Sequence, residues 1–307
     1  MVQEHPHPRN KITDMNRRTF IERSALAAGG LAFASLYSCS KPVSVMNKSI
    51  GIQLYTVKDL FEKDVIGTLK LVAETGFTEV EAYGYDNGKI FGVSYSEFTA
   101  EVKRLGMKVV SGHYGTGQST PDKTGTPANE WERTVKDAKA AGQEYTTVAW
   151  LDDTERNSLD ALKRTCEILN KAGEITKKYD IRMAYHNHAF EFEKVEGEVI
   201  YDVMLKELDP SLVTMEMDIY WIVFAGQDPL TYFKNHPGRF ELWHVKDMDK
   251  TDRTKNSDVG SGTIDFKPIF AAAGESGMKH FFLEQEYFTE PQAKSIANGY
   301  SYLKGIL

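Results

Sequence analysis

Cysteine is almost absent from the sequence, with only Cys39 and Cys166 among 307 residues. A disulfide framework is therefore not implied. The shortage of thiolates also argues against a structural zinc site. Cys166 falls within a helical pattern, where a single cysteine is expected to pack as a small buried hydrophobic residue.

Positive charge is also in short supply. The 37 Lys and Arg residues are outnumbered by 44 Asp and Glu residues, which gives a net charge of −7. The body of the chain contains no basic run, so the electrostatic attraction that nucleic acid binding requires is missing. The 41% hydrophobic and 26% charged residues are typical of a globular protein.

The N-terminal segment, residues 1–47, is predicted to be an export signal and linker rather than part of the fold. Arg17 and Arg18, followed by Thr-Phe, resemble a twin-arginine export signal. The apolar run at 25–36 is too short to span a bilayer and has the form of a signal-peptide core. Export to the periplasm or cell envelope is expected, with Met15 as an alternative start.

The residues that end this segment, Leu-Tyr-Ser-Cys at 36–39, resemble a lipoprotein processing box. Cys39 would then carry a lipid anchor and become the mature N-terminus. Tyr37 departs from the small residue usual at that position. The alternative is an amphipathic N-terminal helix, and membrane attachment is expected only through the lipid.

From residue 48 to 307, short apolar runs alternate with helical patterns. Strands are predicted at 50–55, 77–83, 107–113, 144–150, 181–188, 213–219, 241–245 and 279–286. Eight strand–helix units in one domain predict an α/β fold, a single (β/α)8 TIM barrel. A doubly wound open sheet is the main alternative, but no glycine-rich phosphate loop follows the first strand.

Polar side chains alternate with apolar ones along these strands, and the polar face points into the barrel. The inward set comprises Gln53, Tyr55, Glu79, Glu81, Tyr83, Ser111, His113, His186, His188, Glu216, Asp218, His244, Lys246, Glu284 and Glu286. So many ionisable groups at one rim are costly to bury unless they pair or bind a metal. Mixed carboxylates and imidazoles suit a divalent ion such as Mn²⁺, Co²⁺, Zn²⁺ or Mg²⁺.

Seven short strings carry a resemblance to a known family. They are IGIQLYTVKD, VEAYGY, SGHYG, AYHNHAFEF, MDIYW, HVKDM and FFLEQE. In this order and at this spacing the chain resembles the xylose isomerase-like (AP-endonuclease family 2) barrel, specifically its sugar phosphate isomerase/epimerase branch. The resemblance covers the chain from about residue 48 onward and implies a divalent-metal enzyme.

The resemblance implies four metal ligands at the ends of strands five to eight. Asp218, His244 and Glu284 match the family pattern, and His186 stands where the family has glutamate. The implied catalytic groups are Glu284 and His186, and Lys246, on the same strand face as His244 by parity, is a further catalytic candidate. Lys246 would stabilise an enolate oxygen or merely neutralise Glu216.

The implied reaction is isomerisation or epimerisation of a sugar by proton abstraction next to a carbonyl. With His186 in place of glutamate, the pair of carboxylates on opposite faces of the substrate is broken. The histidine-rich fifth strand also resembles the inosose dehydratases, so a lyase or dehydratase acting on a keto-sugar or keto-glycoside is the alternative. A second alternative is a non-catalytic sugar-binding lipoprotein, which would not need a metal.

The expected partner is a small carbohydrate, and export makes a phosphorylated intracellular sugar a poor candidate. Predicted substrate contacts are His113, His188, Glu81, Tyr55 and Trp221. Tyr55, Trp150 and Trp221 would form a sugar-stacking wall or simply pack. Glu191 and Glu193, in a polar insertion, are expected to be solvated, and a homo-oligomer is compatible with this fold class.

Overall fold

Eight parallel strands that close into a barrel form the centre of the computed structural model, which describes residues 49–307. The strands are β1 (Gly51–Gln53), β2 (Glu79–Ala82), β3 (Lys108–Tyr114), β4 (Tyr145–Val148), β5 (Arg182–His186), β6 (Val213–Asp218), β7 (Leu242–Val245) and β8 (His280–Leu283). Each strand pairs in parallel with the next along the chain, and β8 pairs with β1. The predicted (β/α)8 barrel is confirmed.

Helices follow the strands and surround the barrel. Their bounds are Lys58–Phe61, Val65–Thr75, Tyr95–Arg104, Trp131–Ala141, Asp153–Arg156, Leu159–Lys177, Ile200–Glu207, Ile219–Phe224, Pro229–Asn235, Phe266–Ala271, Ala273–Ser276 and Gln292–Ile306. Lys58–Phe61 and Val65–Thr75 are separate helices, because Asp64 leaves the helical conformation and its side chain accepts from the Gly67 amide as an N-cap.

Glycine ends the second of these outer helices where the chain must turn back into the barrel. Gly76 follows Val65–Thr75 with a φ of 115°, in the left-handed region that favours glycine. A Cβ at this position would lie 2.6 Å from the Tyr300 ring. The turn therefore allows β2 to begin close to the C-terminal helix.

The barrel has two apolar regions. Between strands and helices, Leu162, Cys166 and Leu169 of the long helix Leu159–Lys177 are buried, as the helical pattern predicts. Inside the barrel lies a buried cluster of Val110, Tyr145, Ala184, Leu242 and Phe282. The ionisable residues at the carboxyl ends of the strands therefore rest on an apolar layer that separates them from the other end.

Several short secondary-structure elements lie outside the eight barrel strands. Two 3-10 helices are Leu54–Val57 and Phe190–Phe192, and the short strands are Tyr85–Asp86, Lys89–Ile90, Val93–Ser94, Lys194–Val195, Glu198–Val199, Asp247–Met248 and Asn256–Ser257. Across residues 49–307, no helix has both the length and the apolar character needed to cross a membrane. The predicted export signal, with Arg17, Arg18 and Cys39, lies outside the described residues.

Candidate metal centre

Four consecutive strands bring the predicted metal ligands together at the carboxyl end of the barrel. His186 ends β5, Asp218 ends β6, His244 lies in β7, and Glu284 directly follows β8. The Nδ1 atom of His244 lies 2.9 Å from Glu284 Oε2 and 4.0 Å from Asp218 Oδ2. The Nε2 atom of His186 also lies 4.0 Å from Asp218 Oδ2.

Asp218 is the residue that tests whether these groups fit a cation. One carboxylate oxygen, Oδ1, accepts from the Trp221 amide at 2.9 Å. The other, Oδ2, is buried and accepts no hydrogen bond from any residue in the range 49–307. An unsatisfied buried carboxylate oxygen is costly. Because donor atoms of Asp218, His244 and Glu284 lie within 4.8 Å of one another, the group can hold a metal ion.

Lys246 lies beside this group, on the same face of the chain as His244. Its ammonium is 2.9 Å from Glu284 Oε2 and 3.6 Å from Asp218 Oδ2, and it donates to Glu286. Burial opposes its charge, but Glu284 and Asp218 raise the pKa of Lys246 above its ordinary value. Burial opposes ionisation of Glu284 as well, but Lys246 and His244 hold its pKa well below the usual range.

A second layer of carboxylates lies behind the two histidines. Glu216 Oε2 is 3.0 Å from His186 Nδ1, and Glu81 Oε2 is 2.6 Å from His244 Nε2. Each imidazole therefore has one nitrogen on a carboxylate of this layer and the other 4.0 Å from Asp218 Oδ2, and in His244 that second nitrogen also lies 2.9 Å from Glu284 Oε2. Such a carboxylate fixes the tautomer and orientation of a metal-binding histidine.

His113 joins the two carboxylates of this second layer. Its Nε2 lies 2.9 Å from Glu216 Oε2 and 3.0 Å from Glu81 Oε2. Burial opposes protonation, yet these carboxylates raise the pKa of His113 to about 9. Burial and the nearby Glu81 raise the pKa of Glu216 to about 7. The layer thus holds an imidazolium between two carboxylates directly beneath the candidate metal ligands.

One predicted substrate contact, Glu81, lies in this layer. Glu81 has no exposed surface, and its Oε2 accepts from Gln53 Nε2 at 2.8 Å as well as facing His244. Glu81 therefore supports the centre from behind instead of lining it.

The remaining predicted contacts lie at the rim. The ring of His188 packs 4.9 Å from that of His186 and 5.6 Å from that of Trp221, and its Nδ1 accepts from and donates to no described residue. Tyr55 lies just after β1 rather than on it, in Leu54–Val57, with its ring 5.2 Å from that of Tyr83. The prediction that Tyr55 is an inward-facing strand residue is therefore wrong, because β1 ends at Gln53.

Glu191 is a buried acid that sequence reasoning misses. The prediction that Glu191 is solvated is wrong. The side chain is fully buried and accepts from the Tyr185 hydroxyl at 2.7 Å and the His188 amide at 2.8 Å. Burial raises its pKa to about 8. The polar composition of the segment gives no signal of this role, which is to hold the backbone of His188 in place.

Comparison with known proteins agrees with this geometry. A family model described as a xylose isomerase-like TIM barrel matches residues 69–306. A sugar phosphate isomerase/epimerase from Parabacteroides distasonis is 30% identical, covers 83% of this chain and 96% of its own, and superposes with a TM-score of 0.72. A second such structure from this organism is 27% identical, with coverages of 85% and 95% and a TM-score of 0.73.

Curated relatives match over a shorter stretch. Inosose dehydratase of Geobacillus thermodenitrificans is 28% identical over 150 residues, which is 44% of this chain and 48% of that protein. Inosose dehydratase of Clostridium tetani is 28% identical over 131 residues, which is 38% of this chain and 43% of that protein. The chain thus spans about half the length of these relatives.

Proposed function

Because the chain belongs to the xylose isomerase-like TIM barrel family, we propose that it is a divalent-metal-dependent sugar isomerase or epimerase. The reaction is proton abstraction next to a carbonyl. The observation that carries the proposal is Asp218 Oδ2, a buried oxygen that accepts no hydrogen bond from residues 49–307 and lies close to donor atoms of His186, His244 and Glu284. The donor set of two carboxylates and two imidazoles suits several divalent ions.

A divalent ion held by these residues would polarise a carbonyl and make the adjacent C–H more acidic. The protein supplies the remaining groups. Lys246, which is buried and close to Asp218 and Glu284, provides a fixed positive charge for negative charge that develops on the substrate oxygen. His186 has its Nδ1 on Glu216, so its Nε2 is the atom available as ligand or proton acceptor.

A dehydratase or lyase reaction is the second candidate, and His186 is the observation that favours it. An epimerase uses acid/base groups on both faces of its substrate, whereas elimination needs one well-placed base. Here Glu284 is the carboxylate of the centre on the β8 side, and the β5 side carries an imidazole tied to Glu216. The inosose dehydratases among the curated relatives support this candidate as well.

Proton exchange in D₂O, followed by NMR, tests the proposal. Metal-loaded protein and its Glu284→Gln variant would be incubated with keto-sugars and keto-glycosides. We expect deuterium at the carbon next to the carbonyl together with an isomeric sugar, and neither with the variant. An unsaturated product or a released aglycone would move the assignment to the lyase. Protein that purifies without stoichiometric metal and exchanges no proton would be a binding protein instead.

We also propose that the protein is exported, which rests on the sequence alone. The Arg17–Arg18 pair and the apolar run after it support a twin-arginine route, and Cys39 supports a lipid anchor. Cell fractionation of the full chain and of a variant with both arginines changed to lysine tests the route. Retention of the wild-type chain in the cytoplasm would contradict it.

A further inference from the structure

A side cavity of about 320 Å³ leads away from the candidate metal centre. Its lining includes His113 and Trp150, the turn at 84–87 and residues of the loop at 114–126. The volume is in the range of sites for small molecules, about 300–1,000 Å³. Trp150 packs against His188, whose ring lies 4.9 Å from that of His186, so the cavity lies next to the centre.

The wall nearest the centre is aromatic and held in place by polar contacts. Trp150 is 49% exposed, and its ring packs edge-on against His188 at 5.1 Å. Its indole Nε1 donates to Asp152 Oδ1 at 3.1 Å, and Ser119 donates to the second oxygen of that carboxylate. An exposed tryptophan next to fixed carboxylate and hydroxyl groups offers a flat apolar face and polar partners together.

The opposite wall has little positive charge to offer. Among the described lining residues Lys123 is the single lysine or arginine, and its ammonium lies 3.7 Å from Asp86 across the mouth of the cavity. Asp86 and Asp152 also line the cavity. The carboxylates of Asp86 and Asp152 offset the positive charge of Lys123 and His113, so a phosphate group would find no surplus of positive charge, whereas neutral hydroxyls would find both donors and acceptors.

We propose that this cavity is a subsite for a second, uncharged sugar unit. The substrate is then a glycoside or disaccharide whose reacting ring lies at the metal centre and whose other ring stacks on Trp150. This inference rests on the proposed function for the reacting ring. It adds that the natural substrate is larger than a monosaccharide and carries no phosphate in this position.

Gly115 allows the cavity to be filled without strain. It lines the cavity, its φ is not in the left-handed region, and a Cβ there would meet no atom within 4 Å. Gly274, exposed in the helix Ala273–Ser276 far along the chain, has the same properties but does not line the cavity. Gly115→Leu and Gly274→Leu are therefore a matched pair.

The experiment compares a keto-glucose with the disaccharide in which that ring is linked to a second glucose. We expect Gly115→Leu to lower the ratio of kcat/KM for the disaccharide to kcat/KM for the monosaccharide at least tenfold. Gly274→Leu should leave this ratio unchanged. If Gly115→Leu affects both substrates equally, or neither, the subsite is overturned. Trp150→Ala serves as a second variant if Gly115→Leu does not fold.

Failure of the proposed function would be visible separately, as no turnover of either compound by the wild-type protein. Saturation-transfer NMR with cellobiose then decides the subsite without any reaction. Transfer to both rings in the wild-type protein, reduced for one ring in Gly115→Leu, supports it. Absence of transfer in the wild-type protein, or an equal signal in both variants, overturns it.

Discussion

The two ends of the barrel both bury ionisable side chains, but they satisfy them differently. At the amino end, both oxygens of Glu241 are paired: Oε1 accepts from Arg182 at 2.8 Å and lies 3.1 Å from Lys279, and Oε2 accepts from Tyr145 at 2.9 Å. Nearby, His280 Nδ1 lies 2.8 Å from Glu79 Oε2. The carboxylate oxygens of Glu241 are therefore saturated by the protein itself.

At the carboxyl end, three buried carboxylates each retain an oxygen without a hydrogen-bond partner among residues 49–307. These atoms are Glu81 Oε1, Glu216 Oε1 and Asp218 Oδ2. Of these two sets of carboxylates, only the set at the carboxyl end contains oxygen atoms that lack a hydrogen-bond partner among the described residues. What separates a ligand site from a structural ion-pair network is the unpaired acceptor, since buried charge is present at both ends.

The largest difference between the two ends should be in metal binding. We expect Asp218→Asn to lower metal affinity more than about 100-fold, because it removes the charge of a ligand at the centre. Metal content of the purified protein and calorimetric titration with Mn²⁺, Co²⁺ and Zn²⁺ measure this. Glu79→Gln makes the same carboxylate-to-amide change at the amino end and should bind metal normally. Equal metal content in the two variants would contradict the proposed difference between the two ends of the barrel.

The sequence predicts this centre well because strand alternation is a local property. His186, Asp218, His244 and Glu284 end consecutive strands in a barrel with one strand–helix direction, so they must meet at one rim. Parity also identifies Glu216 as inward. Strand alternation does not predict that Glu216 and Glu81, which are 135 positions apart, both contact His113.

Loops and helix breaks are the parts that sequence reasoning misses. The cavity wall at 114–126 depends on contacts distant in the chain, such as the Thr116 hydroxyl donating to Glu155. Glu191 is buried only because Tyr185 and the His188 amide saturate it. A pattern of polar residues does not show which hydrogen-bond partners Glu191 will have. The polar composition of this segment therefore predicts a solvated loop.

The second layer should have a smaller effect on metal binding than the ligands themselves. We expect Glu216→Gln to weaken metal affinity about 10–100-fold, because His186 loses the carboxylate that fixes its tautomer. Calorimetric titration at one pH measures the change. Glu191→Gln is the control, since Glu191 is equally buried but contacts no nitrogen of His186 or His244. If both variants bind metal like the wild-type protein, Glu216 has no positioning role.

At the amino end, the same chemical change should alter stability and leave metal binding intact. Glu241→Gln removes the charge shared by Arg182 and Lys279, whose side chains are 32% and 55% exposed. Because solvent screens these partners, we expect a loss of about 1–2 kcal/mol in the free energy of unfolding, less than for a fully buried pair. Urea denaturation measures it. A fall in metal affinity instead would show that the two ends are coupled.

The smallest effect concerns the pH dependence of stability at the amino end. His280 faces Glu79 at 2.8 Å and Glu144 at 3.5 Å. Burial opposes protonation, but the hydrogen bond to Glu79 raises the pKa of His280 above 6.5. A raised histidine pKa stabilises the fold fully below the unfolded pKa, and the contribution is lost as pH rises through the folded pKa.

We therefore expect the stability difference between the wild-type protein and His280→Gln to be largest below about pH 6.5 and to shrink at higher pH. The change should be below about 1 kcal/mol, because the pair is partly exposed. Urea denaturation of both proteins between about pH 5.5 and 9 measures it, and groups common to both cancel in the difference. A difference that grows with pH would mean that His280 is neutral in the folded protein. The amino end would then hold Glu79 with a neutral donor instead of an ion pair.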